Sequence, residues 1–276
     1  MKKLVLFIFV FASFQLAALA QMSGLQFKSK EVFKNDDLVF HQLDDHTWIG
    51  NGHLAAHESM YIVEGNDKAV LIDNGTKITD LDKIVASITD KPLMVVATHV
   101  HPDHVGNVGF FPEIWINPAD TVNIPQFMPD YKGKVNYLKD GQIIDLGGRK
   151  LEVVFTPSHT PGSTTFIDKA AGYGFSGDSF GSGNLLLFSG TFSDLIATCK
   201  KMSAVMKKEG IKFLYPGHFN GINPETPKRI HDEITISRAV LSGKMKGKKN
   251  PSSRFGLNYV VSDYGVRINY SKKSLK

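Results

Sequence analysis

Apolar side chains in the first third of the chain fall into short runs and one amphipathic stretch. The runs predict a strand hairpin and two further strands: His46–Ile49, Met60–Glu64, Ala69–Asp73 and Leu93–Ala97. Between the last two runs, one stripe of a helix is formed by Leu81, Ile84, Val85 and Ile88. Thr79 or Asp80 precedes this stripe and is expected to cap the helix. Strand, helix and strand in succession indicate an α/β fold.

The same alternation continues in the second half of the chain. Further strands are predicted at Ile114–Ile116, Leu151–Phe155, Thr164–Ile167 and Ile211–Tyr215. Helices are predicted at about Asp194–Lys208 and at Thr226–Leu241. A terminal hairpin is expected from Leu257–Val261 and Val266–Tyr270. Apolar runs beside amphipathic helices indicate sheets that are covered by helices.

Composition agrees with a compact globular protein. Hydrophobic residues make up 42% of the 276 residues and charged residues 21%. Because no low-complexity linker divides the sequence, we expect a single domain over residues 21–276. The single cysteine, Cys199, cannot form an internal disulfide, and its neighbours place it inside a predicted helix.

The first twenty residues have the composition of a cleavable signal peptide. Lys2 and Lys3 precede the apolar run Leu4–Ala12, and the small residues of the segment Ala18–Ala20 offer a cleavage site before Gln21. The apolar run is shorter than the roughly 20 residues needed to span a bilayer, so we expect no stable membrane anchor. The sequence therefore predicts export, with a periplasmic or secreted mature protein.

Charge argues against nucleic acid as a partner. The whole chain carries a formal charge of +5. Without residues 1–20 it has 30 basic and 27 acidic side chains, which leaves only +3. This charge is too weak for a protein that must neutralise many phosphates. A small-molecule substrate is the expected partner.

The strongest chemical signal is an HxHxDH pattern directly after the predicted strand Leu93–Ala97. His99 and His101 are two residues apart, so in extended backbone their imidazoles share a face and can bind one metal ion. Asp103 and His104 follow Pro102, where a turn or helix start can direct both side chains toward a second ion. Four residues of ligand type thus lie within six positions.

This pattern resembles the metallo-β-lactamase superfamily, whose members carry further motifs in a fixed order. The later motifs are present here as SHTPGS around His159, FSGDS around Asp178 and YPGH ending in His218. Asp73, at the end of the run AVLID, matches the family's early aspartate, which braces the metal-binding loop. The resemblance covers nearly all of residues 40–220. It implies a four-layered αββα sandwich with metals at one edge between two sheets.

The resemblance also implies a two-metal site. One ion would be held by His99, His101 and His159, and the other by Asp103, His104 and His218. Asp178 would bridge the two ions. Imidazoles and carboxylates suit zinc, so two zinc ions are expected, although iron or manganese also accepts these ligands.

Such a pair of ions makes hydroxide available at neutral pH, because it lowers the pKa of a bound water from about 15.7 toward 7. Asp103 would be the catalytic residue that orients this nucleophile and then moves a proton to the leaving group. The predicted activity is metal-dependent hydrolysis of a small ester, lactone, thioester or amide. Asp178 makes the chain more similar to glyoxalase II and lactonases than to β-lactamases with a cysteine ligand, since Cys199 falls outside the later motifs.

Other activities stay open on the same fold. They are β-lactamase activity, metal-dependent phosphodiester cleavage, iron-dependent redox chemistry and ligand binding without catalysis. The glyoxalase II resemblance is itself incomplete, because that family's glutathione-binding residues have no clear counterpart after His218.

Three segments are candidates for the substrate pocket. The apolar stretch from Phe180 through Leu185 to Phe188 is expected near the metals. The loop Gly50–Ser59 contains His53 and His57, and the connection Asn117–Gly141 contains Phe127, Met128, Tyr131 and Tyr137. For these two loops, substrate contact and an ordinary exposed loop are equally compatible with the sequence.

Overall fold

The computed structural model describes residues 27–53, 57–251, 253 and 255–276. The signal peptide expected at residues 1–20 lies outside these ranges, so cleavage and export stay predictions. None of the helices described in these ranges has both the length and the apolar character needed to cross a membrane. The single domain expected over residues 21–276 likewise stays a prediction.

Within the described residues, eight strands form the first sheet and neighbour one another in chain order. They are β1 (Lys30–Lys34), β2 (Leu38–Asp44), β3 (Thr47–Gly52), β4 (Ser59–Glu64), β5 (Ala69–Ile72), β6 (Leu93–Val96), β7 (Glu113–Ile116) and β8 (Lys134–Tyr137). Strands β1 to β5 pair antiparallel, and β5 to β8 pair parallel. The predicted hairpin is confirmed, because β3 and β4 pair antiparallel with Thr47 opposite Val63.

The helices of the described chain fall into two groups. Three lie in the first half: α1 (Leu81–Ile88), α2 (Pro102–Val105) and α3 (Ile124–Phe127). The two long helices follow later: α4 (Phe192–Glu209) and α5 (Pro227–Leu241). The Thr191 hydroxyl accepts a hydrogen bond from the Asp194 N–H in a capping box at the start of α4, and Gly210 ends this helix in the left-handed conformation.

Strand β5 shows why the run AVLI lies at the centre of the first sheet. Ala69 and Leu71 pack in an apolar cluster with α1, whereas Val70 and Ile72 pack in a second cluster against the other sheet. All four side chains are fully buried. Because successive side chains of a strand point to opposite faces, an unbroken apolar run fits a strand that is covered on both sides.

The second sheet packs against the first. Its strands, in spatial order, are β14 (Phe213–Pro216), β12 (Tyr173–Gly177), β11 (Thr164–Asp168), β10 (Lys150–Phe155) and β9 (Ile143–Asp145). Leu151, Phe166 and Phe175 of this sheet share a buried cluster with Val70 and Ile72 of the first. The two sheets therefore form the inner layers of a sandwich.

Helices α4 and α5 cover the outer face of the second sheet, which completes the predicted αββα sandwich. Their apolar side chains form one cluster with Ile167 and Leu214 of that sheet. A small third sheet joins this cluster, with strands in the order β13 (Asn184–Leu186), β17 (Val266–Tyr270), β16 (Tyr259–Asp263) and β15 (Lys248–Lys249). The terminal hairpin is thus confirmed, although its first strand begins two residues later than predicted.

The N-cap position of α1 is predicted correctly, but its side chain does not bond to the helix start. Asp80 stands at the N-cap position with φ 55° and ψ 38°, and its side chain makes no hydrogen bond to the helix start. Its carboxylate instead accepts a hydrogen bond of 3.1 Å from Nζ of Lys83. The left-handed backbone turns the carboxylate away from the free N–H groups that a capping side chain would bind.

Candidate metal centre

Asp73 organises the loop that follows β6. This residue is buried directly after β5 and has a φ of 61°. Its Oδ1 accepts a hydrogen bond of 2.7 Å from the Thr98 N–H, and its Oδ2 accepts one of 2.8 Å from Oγ1 of Thr98. The same Oδ2 lies 2.9 Å from Nδ1 of His104. Asp73 therefore holds both the start of the loop and the ring of His104, which agrees with the bracing role that the family resemblance implies.

Three imidazoles converge on one point beside this loop. Nδ1 of His101 lies 3.1 Å from Nε2 of His99 and 2.9 Å from Nε2 of His159. Ligand nitrogens about 2.0–2.1 Å from a tetrahedral zinc ion are themselves roughly 3.3 Å apart. Nδ1 of His159 donates a hydrogen bond of 2.7 Å to the Leu186 carbonyl. The other ring nitrogen of His159, Nε2, therefore carries no proton and can bind a metal ion.

Asp103, His104 and His218 form a second group of ligand-type side chains. Their candidate ligand atoms all lie within 4.8 Å of one another. Helix α2 begins at Pro102 and carries the first two, and the third follows β14. Oδ2 of Asp103 lies 3.7 Å from Nε2 of His104 and 3.4 Å from Nε2 of His218. Because Nδ1 of His104 faces Asp73, its Nε2 is the atom that faces the group.

Asp178 lies between the two groups. Its Oδ2 is 3.6 Å from Nε2 of His159 and 3.4 Å from Nε2 of His218. Its Oδ1 is 3.7 Å from Nε2 of His104. The neighbouring Gly217 must be a glycine, because a Cβ at this position would lie 2.3 Å from Asp178 and 2.8 Å from His104. The seven residues thus occupy the arrangement expected from the resemblance, while their roles as ligands stay a prediction.

Burial keeps the first group of imidazoles neutral. Burial and the neighbouring His104 and His101 hold the pKa of His99 well below its usual value. Burial and the rings of His159 and His104 lower the pKa of His101 to about 3. Burial also lowers the pKa of His159. Neutral imidazole is the form that binds a metal ion, so these rings need not lose a proton first.

Carboxylates dominate the second group. Burial alone would lower the pKa of His104, but Asp103, Asp73 and Asp178 outweigh it and raise the pKa to about 9. Burial would raise the pKa of Asp103, but the adjacent His104 and His218 lower it to about 2. Without a metal, protons on these histidines balance the acidic charge, and a bound cation would take their place.

Three buried atoms of the candidate ligands have no hydrogen-bond partner: Nε2 of His104, Oδ1 of Asp178 and Nδ1 of His218. The first two lie 3.7 Å apart and face the cluster. A buried polar atom without a partner costs about 1–3 kcal/mol, and a metal ion would satisfy these two. Together with three neutral imidazoles and two ionised carboxylates, these atoms fit a divalent transition metal such as zinc.

Asp120 is a buried residue at this centre that the sequence pattern did not single out. It lies in a 3-10 helix at Pro118–Asn123 and has no exposed surface. Its carboxylate accepts hydrogen bonds from the Val100 N–H, the Gly162 N–H and the Thr160 hydroxyl. These partners flank the three histidines of the first group. The only local signal was a lone aspartate in a loop, which carries no motif.

The centre opens into a cleft with a volume of about 1390 Å³. Five of the seven candidate ligands line this cleft: His101, Asp103, His159, Asp178 and His218. Of the candidate pocket loops, His57 and Phe127 line the cleft. Met128 is buried in the core, and Tyr131 donates a hydrogen bond to the Phe111 carbonyl.

Some of the remaining pocket candidates line the cleft and others do not. Leu186 and Phe188 line the cleft, as expected for the apolar stretch after Asp178. Phe180 and Leu185 do not, because both are fully buried in the cluster below α4 and α5. His53 binds the backbone carbonyl of Asp36, and Tyr137 is exposed on β8.

The chain is similar in sequence or in fold to several known proteins. Acyl-coenzyme A thioesterase MBLAC2 from Homo sapiens is 27% identical, with 78% of this chain and 89% of that protein covered. The protein of the same name from Gallus gallus is 24% identical, with 68% of this chain and 81% of that protein covered. Among solved structures, a metallo-beta-lactamase family protein from Thermus thermophilus has a TM-score of 0.59 at 16% identity, covering 73% of this chain and 82% of that chain.

A metallo-beta-lactamase from Erythrobacter litoralis, with beta-mercaptoethanol in its active site, has the same TM-score of 0.59 at 17% identity. The match covers 76% of this chain and 99% of that chain. At such identities these two structures show a shared fold. The family model of the metallo-beta-lactamase superfamily matches residues 55–218, which is more than half of the chain. The chain belongs to the metallo-beta-lactamase superfamily.

Proposed function

We propose that the chain is a hydrolase with two divalent metal ions, zinc by preference, that cleaves a thioester or a related ester, lactone or amide. The observation that carries this proposal is the convergence of five imidazoles and two carboxylates on a largely apolar cleft. His99, His101 and His159 would hold one ion, Asp103, His104 and His218 the other, with Asp178 between them.

Bound divalent ions would acidify a shared water and polarise the carbonyl oxygen of the substrate. The residues of the chain supply the orientation. Asp103 lies at the cleft with its side chain 23% exposed, and the histidines beside it keep it ionised. An ionised carboxylate at this position accepts a hydrogen bond from the attacking water and aims its lone pair at the carbonyl carbon. Asp73 keeps the ring of His104 in place meanwhile.

Thioesters are the preferred substrate class in this proposal. The similarity to acyl-coenzyme A thioesterases extends over 78% of the chain, which is well beyond the short metal-binding motifs. A thioester also gives a good leaving group, so it demands little proton donation to the departing sulfur.

The test is hydrolysis by the zinc-loaded full chain, followed by proton release and repeated with excess chelator. The panel contains a hexanoyl thioester, a lactone, a β-lactam and a phosphodiester. We expect chelator-sensitive turnover with the highest kcat/KM for the thioester. Turnover confined to the β-lactam or the phosphodiester would replace the proposed substrate class. No turnover of any compound would overturn the proposed activity.

Two variants connect the activity to the site. His99→Ala removes one imidazole of the first group, and we expect lower zinc content and lower turnover. His231→Ala is the matched control, because this histidine is exposed on α5. Elemental analysis of both variants measures the zinc content independently of activity. Equal zinc content in the two variants would contradict the assignment of His99.

A further inference from the structure

One side of the cleft is formed by four apolar side chains from three separate segments, which we call the aromatic wall. They are Phe127 at the end of α3, Leu186 and Phe188 after Asp178, and Phe255 near the C-terminus. The ring centroids of Phe127 and Phe188 each lie 5.3 Å from that of His101. Phe188 is also 5.1 Å from His159 and 5.6 Å from Phe255.

The aromatic wall is only partly covered by the rest of the protein, although Phe127 also packs against the buried cluster of the first sheet and α1. Phe255 is 64% exposed, and Phe127 and Phe188 are only partly buried. By contrast, Phe166, Phe175 and Phe180 are fully buried in the clusters between the sheets and below α4 and α5. Exposed rings that cluster in a concave site mark a surface that a ligand covers.

The opposite side of the cleft, next to His218, has a different chemistry. Phe219 lines the cleft there together with Asn220 and Asn223, and the Asn223 amide donates a hydrogen bond to the His218 carbonyl. The cleft therefore has an aromatic cluster in contact with His101 and His159, and a mixed lining of aromatic and amide side chains next to His218. A substrate with a hydrocarbon part and a polar part on either side of its scissile bond fits this asymmetry.

We propose that the aromatic wall binds the hydrocarbon acyl chain of the substrate. This inference rests on the proposed function, because it places the scissile carbonyl beside the metal centre. The thiol arm of the substrate then extends toward the mixed lining. Recognition lies in the acyl chain, and the thiol part contributes less.

The inference predicts a dependence on chain length. Burying one methylene group gives roughly a three- to fourfold gain in affinity. We therefore expect kcat/KM of the zinc-loaded full chain to rise from the acetyl to the octanoyl thioester of N-acetylcysteamine. The thiol part is identical in this series. A matched compound, S-octyl thioacetate, carries a hydrocarbon chain of similar length on the sulfur side and should not show the gain.

Variants of the aromatic wall separate binding from folding. Phe255→Ala should lower the ratio of octanoyl to acetyl kcat/KM by about tenfold, since truncating an aromatic side chain removes most of its contact area. Phe255→Leu should restore most of the ratio. Phe110→Ala is the control, because Phe110 is 41% exposed in a 3-10 helix outside the cleft. Phe188→Ala should act like Phe255→Ala, with zinc content measured because Phe188 touches two candidate ligands.

A second measurement keeps this inference distinct from the proposed function. Octanoate binding to chelator-treated protein, followed by calorimetry, needs no turnover, and Phe255→Ala should weaken it. If the wild-type protein hydrolyses no thioester but binds octanoate through the wall, the proposed function fails and the binding site stands. The inference would be overturned if Phe255→Ala and Phe110→Ala had the same ratio of octanoyl to acetyl kcat/KM. A gain in kcat/KM with S-octyl thioacetate would overturn it as well.

Discussion

The carboxylate of Asp120 accepts a hydrogen bond of 2.7 Å from the backbone N–H of Val100, the residue between two candidate ligands. Its other oxygen accepts a hydrogen bond of 2.7 Å from the Gly162 N–H, just beyond His159. Burial raises the pKa of Asp120, and the bonds from Val100 and Gly162 oppose this increase. One buried carboxylate thus connects the two loops whose imidazoles converge within 3.1 Å.

Asp120→Asn should loosen this connection. The amide nitrogen would place a donor against an N–H group where an acceptor is needed, so one buried bond is lost. We expect the free energy of unfolding of the metal-free protein to fall by about 1–3 kcal/mol. We also expect less bound zinc per chain. Urea denaturation and elemental analysis measure the two effects.

The control for Asp120→Asn is Asp80→Asn, which changes an exposed aspartate whose left-handed backbone also suits asparagine. This control should retain both stability and zinc. Normal zinc content in Asp120→Asn would show that the two loops hold their positions without the buried carboxylate.

Much of the fold was predictable because its signals are local. The run AVLI requires cover on both faces, which only a central strand provides, and β5 fills that position. The candidate ligands His99 to His104 follow one another in sequence after β6, so a local motif identified them. Short edge strands gave no such signal. Strand β1 exposes most of its side chains, and β15 contains only two lysines.

The parts of the site that escaped prediction depend on distant segments. Asp120 binds backbone groups 20 and 42 residues away, and no spacing rule connects such positions. The aromatic wall consists of Phe127, Leu186, Phe188 and Phe255, which come from segments far apart in sequence and line one cleft only in the folded chain. Phe180 shows the opposite case. It is as apolar as Phe188, but the helices α4 and α5 bury it.

Asp73→Asn should weaken metal binding without disturbing the backbone. Asparagine tolerates the φ of 61° at this position, so the substitution isolates the charge that faces His104. Loss of such a supporting carboxylate costs about 10- to 100-fold in metal affinity. Zinc titration against a competing chelator measures the change. Affinity equal to that of wild type would show that the Thr98 contacts alone hold the loop.

Glu225 gives the protein a pH-dependent stability. It is fully buried beneath the cleft, where its Oε1 accepts a hydrogen bond of 2.7 Å from the Ser182 N–H. Burial raises its pKa from 4.5 to about 7, although Arg229 opposes the increase. The folded state therefore binds this proton more tightly than the unfolded state. Its contribution is present below about pH 4.5 and is lost as the pH rises through 7.

Glu225→Gln keeps an oxygen acceptor for Ser182 but cannot ionise. Relative to wild type, the variant should therefore become more stable between pH 5 and pH 8, by at most about 3 kcal/mol. Urea denaturation of chelator-treated protein at the two pH values measures this difference. Glu31→Gln, on the exposed strand β1, is the control and should show no pH-dependent gain. A constant difference for Glu225→Gln across this range would mean that Glu225 stays ionised in the folded protein.

Asp178→Ala tests the position between the two groups of candidate ligands. Among the ion pairs of the described residues, no other carboxylate lies within 3.7 Å of all three rings, those of His104, His159 and His218. Without it, no side chain connects the two groups, so we expect zinc content to fall to about one ion per chain. Turnover should fall on the order of 100-fold or more, since a single ion cannot both orient water and polarise the carbonyl as well as two. Asp45→Ala, in an exposed turn, is the control. Because alanine is smaller than aspartate, the fold has room for the change. Unchanged zinc content together with unchanged turnover would therefore contradict the two-metal site.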